Sequence, residues 1–388
     1  MGHFGRRPIR LAWFAVVLPA LLLNYLGQGA LVLHEPDAVQ NPFYRLAPWW
    51  FLYPLLAIAT LATIVASQAL ISGAFSLARQ SVRLGYSPRF TIIHTSREEA
   101  GQIYIPEINV ALMVGCLLLV VSFGSSDRLA AAYGIAVTGT MAITTVLFYV
   151  LARHRWRWSA ARAGGLAGTF LLVDLAFFGA NVVKIREGGW VPLVIAGGAF
   201  LLMTTWKRGT ELLRFIFSQT SMPLDRFIAM IETVRPPRVP GTAVFLTAHP
   251  EGTPLVLVHH LKHNKALHEQ VLILSIITAD VPEVSDETRI TTEAMTEGLF
   301  RVQAAYGFME SPDVPDVVRR CCDLGVRGNP EETSYYLGRA RLLTEGPSRM
   351  WKWRKLLFAF MARNARSATE YFSIPPDRVI ELGARVEF

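Results

Sequence analysis

Up to about residue 206 the chain alternates between long charge-free apolar runs and short polar breaks, and then its rhythm changes. Six runs meet or approach the ~20 residues needed to cross a hydrocarbon core. They are 11–33, 49–77, 108–123, 129–152, 163–183 and 188–206. The second is longer than a span requires, which implies tilt, a kink or extension past the interface. Pro19 and Pro54 fall inside runs and are tolerable there, because neighbouring groups can satisfy the freed carbonyls. Trp49, Trp50, Phe51 and Tyr53 open the second run, and Trp156, Trp158 and Trp206 flank later ones, as in interfacial aromatic belts.

After residue 206 the segment ELLRFIFSQTSMPLDRFIAMIETVRPPRVPG reads as amphipathic and then Pro-rich, a linker along the membrane surface. From Thr242 short apolar strands, AVFLTA and QVLILSIITA, alternate with the helix-like PLVLVHHLKHNKALH. A strand (LFRVQAAYGF), a helix (VPDVVRRCCDLG), a strand (TSYYLGRARLL), a helix over 350–371 and a closing VIELGARVEF complete the pattern. Strands alternating with helices predict an α/β domain with a largely parallel sheet. The expected organisation is a six-span bundle over 1–209, a juxtamembrane linker over 210–240 and a cytosolic α/β domain over 241–388.

Composition agrees. Of 388 residues 52% are hydrophobic and 18% charged, with a mean hydropathy of +0.33, which excludes an ordinary soluble protein. The net charge of +8 is not a nucleic-acid signature, because the arginines collect in alternate loops. One set is Arg6, Arg7 and Arg10, then Arg79, Arg83, Arg89 and Arg97, then Arg153, Arg155, Arg157 and Arg162, then Lys207 and Arg208. The intervening loops offset their cations with acids: Arg45 with Glu35 and Asp37, Arg128 with Asp127, and Lys184 and Arg186 with Glu187. By the positive-inside rule both ends of the chain are expected to be cytoplasmic. The first run is too long for a signal peptide and lacks a small-residue cleavage site. Cys116, Cys321 and Cys322 make no disulfide framework: Cys116 lies within a span, and the adjacent Cys321 and Cys322 fit a reduced, cytosolic tail.

No phosphate loop, nucleophile elbow, CxxC or HExxH is present, so neither an enzyme nor a cofactor is expected. His259 and His263 lie one helical turn apart, with His260 and His268 nearby. That spacing permits a metal pair, but no cysteine or carboxylate completes one, and the histidines read as structural or surface groups. Within the spans the informative groups are uncharged: Asn24 and Gln28 on the first, Ser67, Gln68, Ser72 and Ser76 on the second, and Tyr133, Thr138 and Thr140 on the fourth. Hydroxyls, amides and carbonyls replace the hydration shell of a monovalent cation without holding it too tightly. The same groups also serve as interhelical hydrogen-bond partners, with Gly134 and Gly139 allowing close packing. Asp174 is the acidic residue set well within a span, a position suited to a proton or ion role or to a hydrogen bond inside the bundle.

These segments carry a resemblance. LNYLGQGAL at 23–31, ATIVASQALISGAFSLARQSVRLGYSPR at 62–89, IIHTSREEAGQIYIPEIN at 92–109 and AAAYGIAVTGTM at 130–141 closely resemble the Kup/HAK/KT potassium uptake transporters. TWKRG at 205–209, VPGTAVFLTA at 239–248 and HHLKHNKALHE at 259–269 continue the match. The resemblance implies a proton-coupled potassium symporter of the amino acid–polyamine–organocation superfamily, with a LeuT-like inverted-repeat fold and a cytosolic domain. Potassium and protons are then cargo, and the implied setting is the plasma (inner) membrane, with lipid as the surrounding partner. The resemblance implies that Ser67, Gln68, Ser72, Tyr133 and Thr138 line the periphery of the ion site; Asn24 and Gln28 are further ion-path candidates and Asp174 the proton-coupling candidate, on the residue types and their place in the spans. The six spans match the second half of the twelve-span pattern, and MGHFGRRPIR resembles the loop before the seventh span. A preceding N-terminal half, carrying the principal ion-binding residues, is therefore expected as a partner, and a homodimer through the cytosolic domain is a further expectation. Two readings compete: a transporter of another cation or of an amino acid, and a non-transporting membrane-anchored module whose α/β tail binds a nucleotide.

Overall fold

The computed structural model describes residues 5–95, 102–220, 222–247, 252–279, 281–307, 310–326, 329–343 and 350–387. Arg97 and part of the TSREEAG stretch lie outside them. Six helices are long and apolar enough to span a membrane. They are α1 (Arg7–His34), α2 (Leu52–Arg83), α3 (Pro106–Phe123), α4 (Ser126–His154), α5 (Ala160–Val182) and α6 (Trp190–Thr220). Contacts divide the chain into two compact units, Met1–Arg79 with Thr91–Leu112, and Gln80–Phe90 with Met113–Phe388.

In the first unit α1 widens into a π turn at Trp13–Val17, where the Leu18 N–H donates to the Trp13 carbonyl. Pro19 explains the widening: it has no N–H for the regular ladder, and its ring crowds the preceding turn. The 32 residues of α2 extend about 48 Å at ~1.5 Å per residue, well beyond the ~30 Å core. Pro54 sits in its first turn, where no N–H partner is needed, so the helix is continuous.

In the second unit α4 and α5 form an antiparallel hairpin with a seam of small residues. Ala131, Ala152, Ala163 and Ala167 are buried along it, and the Asn181 side chain packs against Gly134 where a Cβ would stand. Close approach of this kind lets dispersion and polar contacts hold helices together in lipid. Ser159 caps α5 by accepting from the Arg162 N–H at 3.3 Å.

The α/β domain follows α6. Helices α7 (Leu224–Val234), α8 (Leu255–Asn264) and α9 (Val314–Asp323) cover a sheet of β1 (Arg238–Thr247), β2 (Leu267–Ala279), β3 (Ile290–Thr296), β4 (Leu299–Gly307), β5 (Thr333–Leu343) and β6 (Val379–Glu387), while α10 (Lys352–Arg363) packs through Phe358 on the end of α6. Strand order is β3-β4-β2-β1-β5-β6, parallel throughout except for the antiparallel edge strand β3. The central strands are buried on both faces, which is why they read as unbroken apolar runs. Ala243, Phe245, Val271 and Ile273 pack with α7 and α8 on one face. Val244, Leu272 and Leu274 pack with Val314, Val317, Val318 and Cys321 of α9 on the other.

Three local expectations change. Residues 210–240 do not lie along lipid as one linker: α6 runs on to Thr220, and the apolar stripe of α7, Leu224, Phe227 and Ile231, is buried against the sheet. Amphipathy marks a stripe to be covered, and here the sheet covers it. The helix expected over 350–371 is broken after Arg363. Ser367 starts a separate turn, Ala368–Tyr371, by accepting from the Glu370 N–H at 3.2 Å. The helix expected over 254–268 ends at Asn264, where Lys265 turns left-handed at φ 56° to feed β2.

Candidate ion-path residues

Two sets of polar groups lie on the spans, one in each unit. In the first, Gln28 Nε2 donates to Asn24 Oδ1 at 3.1 Å, so the pair expected on one face of α1 is joined and half-buried. On α2, Thr60, Thr63, Ser67 and Gln68 line a groove of about 430 Å³. Their spacing of three, four and one residues keeps them on one side of the helix. Thr60 and Thr63 donate to the carbonyls of Leu56 and Ala59, both at 2.8 Å, which leaves their oxygen lone pairs free to face the groove. Ser76 donates to the Ser72 carbonyl at 3.0 Å. Ser67 and Gln68 differ: both are exposed, and neither side chain makes a hydrogen bond among the described residues. An amide and a hydroxyl left unpaired on a membrane helix are costly unless water, protein or an ion receives them.

In the second unit, Tyr133 and Asp174 border one cavity of about 510 Å³, together with Thr140, Thr144 and Thr145. Asp174 is 5% exposed and accepts from Thr145 Oγ1 at 2.5 Å. Thr140 and Thr144 donate back to the Ala136 and Thr140 carbonyls at 2.8 Å. Thr138 lies apart from this cavity, buried in the α4–α5 seam, and donates to the Gly134 carbonyl at 2.7 Å. Thr60, Thr63, Thr144 and Thr145 were not singled out from the sequence. The first two continue the spacing of Ser67 backwards by single turns and were legible. The last two required the partner helix.

Of the tail histidines, His260 and His268 pack beside Tyr336 in the sheet core, whereas His263 is exposed and meets the ring of His259. His260 is buried, its Nδ1 lies 2.9 Å from Asn264 Nδ2, and its ring meets those of Phe245 and Tyr336. Burial lowers the affinity of His260 and His268 for a proton, and at His260 the neighbouring His268 adds to this. Burial also pushes the Cys321 thiol up to about 12, with Cys322 beside it contributing.

Residues 1–211 match the K+ potassium transporter integral membrane domain, and residues 240–388 match the K+ potassium transporter C-terminal domain. A probable potassium transport system protein Kup of Anaeromyxobacter sp. (strain Fw109-5) is 56% identical over 392 residues, covering 100% of this chain and 59% of that protein. The Kup protein of Myxococcus xanthus is 55% identical, with 59% of its length covered, and Kup 1 of Geobacter sulfurreducens is 53% identical, with 62% covered. The chain thus spans about three fifths of the length of these curated relatives. With both family domains matched in series over a helical membrane region and an α/β domain, the chain belongs to the K+ potassium transporter family.

Proposed function

We propose that the chain is the second half of a proton-coupled potassium uptake system with an inverted-repeat fold. Both chain ends are read as cytoplasmic, in the plasma membrane, with residues 1–209 as the transport half and 241–388, together with α7, as the cytosolic domain. The observation that carries the proposal is the α2 groove, where Ser67 and Gln68 stand unpaired beside the acceptor oxygens of Thr60 and Thr63. Neutral oxygen ligands of this kind suit a dehydrated monovalent cation, and the Kup names of the relatives favour potassium as the cargo. Thr145 steadies Asp174 beside the Tyr133 cavity, an arrangement that keeps a carboxyl available for proton transfer. The reading as a membrane-anchored nucleotide-binding module gains nothing from the relatives' names or from the matched domains.

The test is rubidium uptake by potassium-uptake-deficient cells. They would express this chain joined to the first half of the Anaeromyxobacter relative. Uptake is expected, and Gln68→Ala and Ser67→Ala are expected to lower it by ~5-fold or more while the protein level holds, the loss of about one ligand interaction. Uptake that is unchanged by both substitutions would remove the groove from the ion path. A correctly inserted chimera that moves no rubidium would overturn the potassium reading.

A further inference from the structure

Away from the ion-path residues, helix α10 presents an apolar edge that no described residue covers. Trp353 is 46% exposed, Leu356 51% and Phe360 61%. Their spacing of three and four residues stacks them into one stripe, and Trp351 prolongs it at the helix start. Exposed Lys352 and Arg363 border the stripe, while Lys355, Phe358 and Ala359 are buried on the opposite face.

The buried face sets the height of the helix. Arg354 donates from Nε to Thr205 Oγ1 at 3.0 Å and from Nη2 to Thr204 Oγ1 at 3.2 Å. The Phe358 ring lies against Trp206, with centroids 5.2 Å apart, and fills the space over Gly209 where a Cβ would stand. These contacts run from Thr204 to Gly209, about 7.5 Å of the α6 axis at ~1.5 Å per residue. In that stretch α6 leaves its apolar run through Trp206, Lys207 and Arg208, the aromatic and basic pattern of a membrane–water interface. Helix α10 is therefore fixed beside a span at headgroup height, with its apolar stripe outward.

Cations lie beside it. Arg89, Arg339, Arg363 and Arg366 line, with Leu356, a cavity of about 870 Å³. Arg339 and Arg366 pair with Glu381 and Glu370. The Arg89 guanidinium lies 4.9 Å and 5.0 Å from the ring centroids of Tyr371 and Phe372, and no carboxylate among the described residues pairs with it. A cation held on aromatic faces beside an interfacial helix is suited to an anion arriving from the membrane surface.

We propose that α10 is an interfacial helix, whose Trp353–Leu356–Phe360 edge enters the headgroup–acyl boundary of an anionic phospholipid leaflet while the neighbouring arginines receive its phosphates. The α/β domain is then attached to the membrane at a second place besides the end of α6. The inference rests on the membrane placement of α6 and not on what is transported.

Photocrosslinking of the full chain tests it. Trp353, Leu356 and Phe360 are replaced one at a time by p-benzoylphenylalanine, in vesicles of phosphatidylethanolamine and phosphatidylglycerol. Glu297 is the control position: it precedes β4, at the end away from Gly307, whose carbonyl accepts from Arg83 at the end of α2. Phospholipid adducts identified by mass are expected at all three stripe positions, at roughly 5-fold or more the yield at Glu297. Absence of lipid adducts at all three would place the stripe in water. Adducts to peptide would show a protein cover, either a second copy or another part of the transporter, and both results would overturn the proposal. Yields unchanged in phosphatidylcholine vesicles would overturn the role given to the arginines.

Discussion

Removing Arg354 tests whether a small polar joint holds α10 to the end of α6. The guanidinium reaches two hydroxyls, Thr205 at 3.0 Å and Thr204 at 3.2 Å. Thr205 is fully buried, so Arg354→Ala deprives its hydroxyl of that donor with no water to replace it. Half-buried Thr204 keeps its own bond to the Phe200 carbonyl at 2.8 Å and loses little. A hydrogen bond to a charged group nets about 1.5–3 kcal/mol, and the partial exposure of Arg354 puts this case at the lower end. The expected loss is therefore about 1.5–2 kcal/mol, almost all of it through Thr205. Thr205→Val removes the same contact from the other side at a cost of about 1 kcal/mol. Because both substitutions delete one interaction, the double variant should lose about 1 kcal/mol less than the sum of the singles. SDS unfolding of the full chain in mixed micelles, followed by tryptophan fluorescence, gives the four stabilities. Losses additive to within about 0.3 kcal/mol would mean that the two groups do not meet and would refute the joint.

Thr145→Val removes the donor to Asp174 and should destabilise the chain by about 1–3 kcal/mol in the same assay. Asp174→Asn, which keeps an acceptor there, should cost less, and a reversed order would argue against the contact. Gly298, at φ 70° between β3 and β4, has the Glu269 carbonyl where a Cβ would stand. Gly298→Ala should therefore cost about 2–3 kcal/mol, and Gly383→Ala, which meets nothing within 4 Å, should cost less by thermal unfolding. His260 and His268 bind protons less readily when folded than their ordinary value of 6.5. Their contribution is thus present above about pH 6.5 and is lost as pH falls, and His260→Phe should flatten that acid limb in a melting-temperature profile. Cys321 has the opposite sign: raised from 9.0 to about 12, its thiol stabilises the fold below pH 9 and loses that contribution as pH rises towards 12. Iodoacetamide at about pH 8 should accordingly leave Cys321 unmodified in the folded chain and alkylate it in urea, by peptide mass.

Span number depends on apolar length alone, so six runs became six helices without help from tertiary structure. The central strands were equally legible, because burial on both faces demands unbroken stretches such as VLIL. Where the partner decides, sequence reasoning stopped short. ITTEAMT does not announce a strand: Glu, Ala and Met favour helix, and only edge pairing with β4, including Glu293 to Arg301 at 3.0 Å, makes it extended. The break after Arg363 was there to be read, since Ser367 and Glu370 stand at capping-box spacing.

The ion-path residues divide along the same line. Thr138 and Ser67 are alike on paper, each a small hydroxyl on an apolar run. In the structure Thr138 is turned into a helix seam and bonded to its own backbone, whereas Ser67 and Gln68 face a groove without a partner. The distinction lies in what the opposing surface offers, and one strand of sequence carries no record of that surface. A threonine that bonds back to its own helix is satisfied in lipid and needs no further explanation. An unpaired glutamine amide on a membrane helix is not satisfied, and the cost of leaving it so is what argues for water or an ion along α2. By that criterion Gln68, rather than Thr138, is the residue whose replacement should disturb transport first.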